Sequence, residues 1–135
     1  MSRWLFKTEP THYSFDDLER EKKAVWDGIT NNLALKNLRT VKKGDEVLIY
    51  HTGEERQLVG IAVVASNPYP DPQQSDPKLA VVDIKPRRKL KRSVTLIEIK
   101  EDKALKSFDL VRLPRLSIVP VSDAQWERLL ELAGE

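Results

Sequence analysis

Short runs of β-branched, aromatic and aliphatic residues recur along the chain, and proline, glycine or polar turns separate them. Runs of this kind predict β-strands. Two of them flank a turn at Gly53, so we expect that pair to form an antiparallel hairpin. We place strands at residues 4–6, 46–52, 58–66, 80–90 and 116–121.

Helices are predicted where an N-capping residue precedes apolar residues at helical spacing. The capping residues are Ser14, Thr30 or Asn31, Thr95 and Ser122. The first helix should end near residue 22, and the third should be short, over residues 95–100. The fourth helix, at the C-terminal end, has a capping box and places four apolar residues on one face: Trp126, Leu129, Leu130 and Ala133.

The remaining segments are predicted to be irregular. Residues 25–32 connect the first two helices, and residues 67–78 carry four prolines among polar residues, which is typical of an exposed loop. Pro86 within a strand indicates an edge position. Because the strands follow one another without long crossover helices, we expect one α+β domain over residues 1–135, a small mixed β-barrel flanked by short helices.

The composition excludes several classes of function. Hydrophobic residues make up 40% and charged residues 33% of the chain, no run reaches the roughly 18 apolar residues of a membrane span, and no secretory signal is visible, so we expect a cytoplasmic protein. The absence of cysteine excludes disulfides and thiolate chemistry. His12 and His51 lie outside any HExxH helix, and the glycines are too scattered for a phosphate-binding loop, so we expect no metal, no cofactor and no catalytic residues.

Positive charge is concentrated in one segment, residues 85–92, where six of eight residues are basic. Removing these six charges from the net charge of +2 leaves −4 for the rest of the chain. A basic segment on an acidic body is typical of contact with a polyanion, because phosphate attraction acts over about one Debye length. A solvated strand edge, protected by charge from pairing with another sheet, explains the segment equally well.

Trp26, Asp27 and Gly28 form the local combination that best suits a nucleobase. Binding a base that has left its stack requires an aromatic surface, hydrogen-bonding groups for the base edge and a backbone that can approach closely. A tryptophan in a short connecting segment more often fills the hydrophobic core, so this second interpretation stays open.

A series of motifs, in order along nearly the whole chain, resembles the EVE domain family. The resemblance implies a PUA-like fold, related to the YTH domain that reads methylated adenine in RNA, and a module that binds nucleic acid. The motifs are Lys7-Thr8-Glu9-Pro10, Tyr13-Ser14, Asp17-Leu18, Trp26-Asp27-Gly28-Ile29-Thr30-Asn31, Gly44-Asp45, Tyr50-His51-Thr52, Val59-Gly60-Ile61, Val82-Asp83-Ile84, Lys91-Arg92-Ser93-Val94-Thr95-Leu96, Glu98-Ile99-Lys100, Leu110-Val111-Arg112 and Arg115-Leu116-Ser117.

The same resemblance implies that the ligand is a modified base, either modified cytosine in DNA or a modified base in RNA. We expect the protein to be a monomer. The base pocket it implies consists of Lys7, Thr8, Glu9, Trp26, Asp27, Gly28, Ile29, Thr30, Asn31, Tyr50, His51 and Thr52. The basic segment would bind phosphates, with two arginines nearby: Lys85, Arg87, Arg88, Lys89, Lys91, Arg92, Arg112 and Arg115.

Two positions depart from the family pattern. Thr30 stands where arginine is common in the family, which should weaken contacts to phosphate or base, and Leu79 stands where tryptophan is frequent, which should remove an aromatic wall. Two alternative functions stay open. One is an enzyme for small molecules or nucleotides that uses His51 and Glu9 as general acid and base. The other is a protein-interaction module whose basic edge meets an acidic partner.

Overall fold

Seven strands and five helices form the structure, a computed structural model that describes residues Met1–Glu135. The strands are β1 (Arg3–Thr8), β2 (Ala24–Trp26), β3 (Glu46–His51), β4 (Gln57–Val64), β5 (Tyr69–Pro70), β6 (Ala80–Thr95) and β7 (Ile118–Val121). The helices are α1 (Phe15–Glu21), α2 (Asn32–Thr40), α3 (Leu96–Glu101), α4 (Asp109–Arg112) and α5 (Asp123–Leu132), with a 3-10 turn at Lys103–Leu105.

The strands form one mixed sheet in the order β2-β6-β4-β3-β1-β7, and β5 pairs with β6. β1 and β3 run parallel, with Leu5 opposite Leu48, and the other neighbours run antiparallel. The predicted hairpin across Gly53 is confirmed as β3 and β4. The sheet curls into an open barrel, and α2 packs against both β6 and β7, near the two ends of the strand path. The α+β mixed-barrel architecture is therefore confirmed.

The inner face of the sheet and the covering helices share one continuous apolar cluster, which includes the fully buried Phe6, Leu48, Ile84 and Phe108. The branched and aromatic residues that predicted the strands supply most of this cluster. None of the helices has both the length and the apolar character needed to cross a bilayer.

All four predicted helix starts are confirmed. The side chains of Ser14, Asn31, Thr95 and Ser122 each accept a hydrogen bond from a backbone N–H of the first helical turn. Asn31, and not the alternative Thr30, caps the second helix. The first helix ends at its C-cap Lys22, as expected.

Three parts of the chain differ from the predictions. Residues 25–32 are not wholly irregular, because β2 pairs Trp26 with Val82, and residues 67–78 include the two-residue strand β5. β6 is longer than predicted and reaches Thr95. From Lys85 onward β6 has a hydrogen-bonded strand, β4, on one side only, so Pro86 does lie at an edge. Neither α4 nor the 3-10 turn was predicted.

Gly60 fixes how α1 sits on the sheet. A Cβ atom at this position would lie 2.5 Å from Cζ of Phe15, the first residue of α1. The aromatic ring therefore packs directly on the backbone of β4, which no larger residue would allow. This contact holds the start of α1 against β4.

Candidate functional site

The main cleft of the molecule has a volume of about 830 Å³, within the usual range for ligand pockets. It lies where β1 ends, between the turn before β7 and the end of β2. Its lining combines residues 7–13 and 21–29 with one residue that is distant in sequence, Ser117. The full set is Lys7, Thr8, Glu9, His12, Tyr13, Glu21, Lys23, Ala24, Val25, Trp26, Asp27, Gly28, Ile29 and Ser117. Seven of the twelve predicted pocket residues are in this set, namely Lys7, Thr8, Glu9, Trp26, Asp27, Gly28 and Ile29.

Local hydrogen bonding shapes the walls of the main cleft. The Thr8 hydroxyl donates to the carbonyl oxygen of Tyr13 at 2.7 Å, which closes the loop after β1 and brings the Tyr13 ring to the cleft. Opposite it, Gly28 has φ of +76°, a conformation that glycine adopts without strain, so the chain turns away as soon as β2 ends. Asp27 and Ile29 are thereby placed on the rim.

Trp26 borders the main cleft but is largely buried, with 6% of its surface exposed. Its ring centroid lies 5.7 Å from that of Phe6 and 6.2 Å from that of Tyr13, the latter pair edge to face. The interpretation of Trp26 as an open stacking platform is thus wrong in part, because the indole also fills the core. Tyr13, which is half-buried, supplies the second aromatic wall. The two rings form an aromatic corner.

Three carboxylates line the main cleft and differ in their partners. The backbone N–H of Thr11 donates to Glu9 at 3.2 Å, and this bond, together with the Thr11 hydroxyl, lowers the pKa of Glu9. The Tyr13 hydroxyl donates to Glu21 at 2.6 Å. Burial raises the pKa of Tyr13, and this hydrogen bond raises it further. Asp27 is exposed at the rim and takes part in no ion pair. Its carboxylate is therefore free to accept a hydrogen bond from a ligand.

Tyr50 and Thr52 do not line the main cleft. They border a second cleft, of about 330 Å³, which shares Lys7 with the first. The Lys7 ammonium donates to the Pro114 carbonyl oxygen at 2.7 Å and lies 5.9 Å from the centroid of the Tyr50 ring. Burial lowers the pKa of Lys7. Lys7 thus stands between two clefts.

His51 is buried and holds other protein groups instead of facing a cleft. Its Nε2 accepts a hydrogen bond from the backbone N–H of Phe15 at 3.1 Å, and its Nδ1 lies 2.8 Å from a Glu55 oxygen. Both ring nitrogens are therefore engaged. The inclusion of His51 in the base pocket and its pairing with Glu9 as general acid and base both disagree with this placement.

Thr30 and Asn31 lie beyond the main cleft. Asn31 caps α2 and borders a separate shallow cleft with Arg112 and Arg115. Thr30 faces a small cavity of about 100 Å³, and Leu79 faces the same cavity. The two departures from the family pattern are therefore neighbours in space, and Gly28 and Ile29 separate their cavity from the main cleft.

The basic segment does not line the main cleft, and most of its charges are paired. Arg87 binds Glu46 at 2.9 Å, Lys89 binds Asp16 at 2.7 Å, Arg88 pairs with Glu135 and Arg92 pairs with Glu98. Only Lys85 and Lys91 of the six basic residues form no ion pair.

Seven residues of the main cleft were not among the predicted pocket residues: His12, Tyr13, Glu21, Lys23, Ala24, Val25 and Ser117. Ala24 and Val25 belong to the unpredicted strand β2, and the others lie in loops or at a helix end that only the fold brings to the cleft. Tyr13 was visible as part of a family motif, although no role followed from its position alone.

Comparison with known proteins agrees with this architecture. The family model of the EVE domain matches residues 2–132. Thymocyte nuclear protein 1 of Mus musculus is 31% identical to the chain, and the match covers 96% of the chain and 72% of that protein. The crystal structure of Atu2648 from Agrobacterium tumefaciens is similar with a TM-score of 0.95 and 31% identity, over 99% of this chain and 94% of that one. Human THYN1 in complex with DNA containing 5-methylcytosine has a TM-score of 0.92 and 28% identity, over 100% of this chain and 99% of that one.

Proposed function

Because the chain belongs to the EVE domain family, we propose that it is a nucleic-acid-binding module that reads a modified base in the main cleft beside Trp26. The observation that carries this proposal is the cleft itself, which combines an aromatic corner, a free carboxylate and a glycine turn at one rim. The similarity to human THYN1 bound to DNA containing 5-methylcytosine favours modified cytosine as the ligand.

Each wall of the cleft suits one part of a cytosine base. Asp27 can accept a hydrogen bond from the exocyclic amine, which is the donor that distinguishes cytosine from thymine. Tyr13 and the accessible part of Trp26 can contact the ring face, a contact that contributes about 1–3 kcal/mol for a base on an aromatic side chain. The base would reach the cleft by leaving its stack, since edge groups inside a duplex are not accessible from all sides.

A methyl group at position 5 of the base adds apolar surface that Ala24 and Ile29 can cover. Burial of one methyl or methylene group contributes about 0.8 kcal/mol. If burial alone distinguishes the two bases, the ratio of affinities is about fourfold in favour of the methylated base.

The proposal is tested by titrating labelled oligonucleotides that differ only by cytosine or 5-methylcytosine, as single-stranded DNA, duplex DNA and RNA. We expect tighter binding to the methylated oligonucleotide by about fourfold or more. Equal affinity for modified and unmodified oligonucleotides in all three forms would contradict the reading of a modified base.

Trp26→Phe and Trp126→Phe provide a matched pair of variants for this titration. Both tryptophans are buried, with 6% and 3% of their surface exposed, but Trp126 lies in α5 beside Arg3, away from the main cleft. We expect Trp26→Phe to weaken binding of the methylated oligonucleotide and Trp126→Phe to leave it unchanged. The same loss in both variants would indicate a general effect on folding.

We propose that one protomer is sufficient for binding, since the aromatic corner, the free carboxylate and the glycine turn all line the same cleft. RNA remains a second proposed ligand, and the RNA arm of the titration measures its affinity directly. A cytoplasmic location stays a prediction from the sequence.

A further inference from the structure

Three cationic side chains meet at the second cleft without a carboxylate partner. Lys7, Arg56 and Lys100 line this cleft of about 330 Å³, and none of the three takes part in an ion pair. Glu54 and Glu55 line a neighbouring cleft together with Arg56 and Lys100, but neither carboxylate forms an ion pair with these two cations. The Glu55 carboxylate contacts His51 and Gln57 instead. The three cations are therefore unpaired at a concave surface.

This arrangement contrasts with the basic segment on β6. Four of the six cations there are already paired with carboxylates, so an incoming phosphate would have to displace an existing partner. At the second cleft no partner has to be displaced. The second cleft should therefore attract an anion more strongly than the Lys85 to Arg92 segment does, because attraction to phosphate depends on charge that is not already neutralised.

Arg56 is held in position by the backbone. Its φ of +46° is in the left-handed region that residues other than glycine seldom adopt, and its Nε donates to the carbonyl oxygen of Gly53 at 3.1 Å. The terminal N–H groups of the guanidinium are left for a ligand. A planar guanidinium held in this way can bind two oxygens of a phosphate at once.

The second cleft adjoins the main cleft through Lys7, which lines both. Pro114 likewise belongs to the second cleft and to the shallow cleft that carries Arg115. The second cleft, with Arg56 and Lys100, therefore adjoins both the main cleft and the shallow cleft that carries Arg115.

We propose that the second cleft binds a phosphate of the strand whose base enters the main cleft, with Arg56 and Lys100 as the contacting cations and Lys7 between base and phosphate. This proposal rests on the proposed function, which it deepens by assigning the phosphate site. The principal contact to the phosphate backbone of the nucleic acid would then lie at the turn of the β3–β4 hairpin and not at the Lys85 to Arg92 segment.

The test compares two double variants that each remove two unpaired positive charges: Arg56→Gln with Lys100→Gln, and Lys85→Gln with Lys91→Gln. Affinity for methylated and unmethylated oligonucleotides is measured from low to high salt. Each lost phosphate contact lowers the slope of log K against log salt by about 0.7 for single strands and 0.9 for duplex DNA. We expect the first variant to lose about one to two contacts and at least about tenfold in affinity at 0.1 M salt, and the second to keep the wild-type slope.

An unchanged slope in the Arg56 and Lys100 variant, or an equal decrease in the Lys85 and Lys91 variant, would overturn the assignment. Arg56→Lys keeps the charge and should retain most of the slope, and unfolding curves check that each variant folds. A different result would show that only the proposed function is wrong. In that case the slope of the Arg56 and Lys100 variant falls as expected, but neither the wild type nor any variant prefers the methylated base. No binding of any oligonucleotide by the wild type would overturn both proposals.

Discussion

At position 27 a carboxylate stands at the rim of the main cleft with no ion-pair partner, next to the buried indole of Trp26. The adjacency of these two residues could be predicted from the sequence, because it depends on neighbouring positions in the chain. The burial of Trp26 could not be predicted, because Phe6 and Tyr13, which cover the indole, come from other parts of the fold.

Asp27→Ala should weaken binding of the oligonucleotide without lowering the stability of the fold. Loss of a hydrogen bond to a charged group costs about 1.5–3 kcal/mol, so we expect roughly tenfold to hundredfold weaker binding of the methylated oligonucleotide. The unfolding free energy should change by no more than about 0.5 kcal/mol, because Asp27 is exposed. Fluorescence titration and urea unfolding measure the two quantities.

Asp76→Ala serves as the control for this variant, since Asp76 is also exposed but lies in the loop between β5 and β6. It removes the same charge and should not weaken binding. If Asp27→Ala binds the methylated oligonucleotide as tightly as Asp76→Ala does, Asp27 has no role in reading the base.

At the scale of elements, the starts of the helices could be predicted well, because an N-cap acts on residues within its own turn. β2 could not be predicted in the same way. It has three residues, and it exists because Val82, far along the chain, pairs with Trp26. This short pairing determines where the main cleft opens, so the site depends on an element that local sequence patterns do not reveal.

His51 links two elements and gives a prediction at this scale. In His51→Ala the backbone N–H of Phe15 loses its acceptor at the buried start of α1, and we expect a loss of about 1–3 kcal/mol in unfolding free energy. Urea unfolding measures this loss. His51→Gln, which retains a side-chain acceptor, should recover part of it; equal stability of wild type and His51→Ala would contradict the structural role.

On the scale of the whole molecule, the distribution of unpaired charge was the property that could be predicted least well from the sequence. The Lys85 to Arg92 segment is strongly basic in the sequence, but in the fold carboxylates of α1, β3 and the C-terminal end of the chain pair with it, namely Asp16, Glu46 and Glu135. The cations of the second cleft form no pattern in the sequence, because Lys7 lies in β1, Arg56 in the turn between β3 and β4, and Lys100 in α3. In the folded protein, three unpaired cations therefore lie together at the second cleft, whereas four of the six cations in the Lys85 to Arg92 segment are paired with carboxylates.

Carboxylates paired across the molecule make its stability depend on acid pH. The hydrogen bond from Arg128 of α5 holds the pKa of Asp102 below its ordinary value of 3.8. A carboxyl group whose pKa is lower in the folded state contributes stability above its unfolded pKa, and that contribution is lost as the pH falls through the folded value.

We therefore expect Arg128→Gln to be less stable than the wild type at pH 7, with a difference that narrows as the pH falls below 3.8. Urea unfolding at pH 7 and at pH 3 measures the two differences. A gap that stays constant or widens in acid would show that Arg128 stabilises α5 by packing alone.

The most direct test of base reading in the main cleft uses the three tryptophans of the chain. In a ¹⁵N-labelled sample each indole N–H gives one signal: Trp26 beside the cleft, Trp4 bonded to Asp45 at 3.0 Å, and Trp126 beside Arg3. On titration with the oligonucleotide containing 5-methylcytosine, we expect the Trp26 signal to shift until binding is saturated, while the signals of Trp4 and Trp126 stay in place. A stationary Trp26 signal in a sample that binds the oligonucleotide would contradict this expectation.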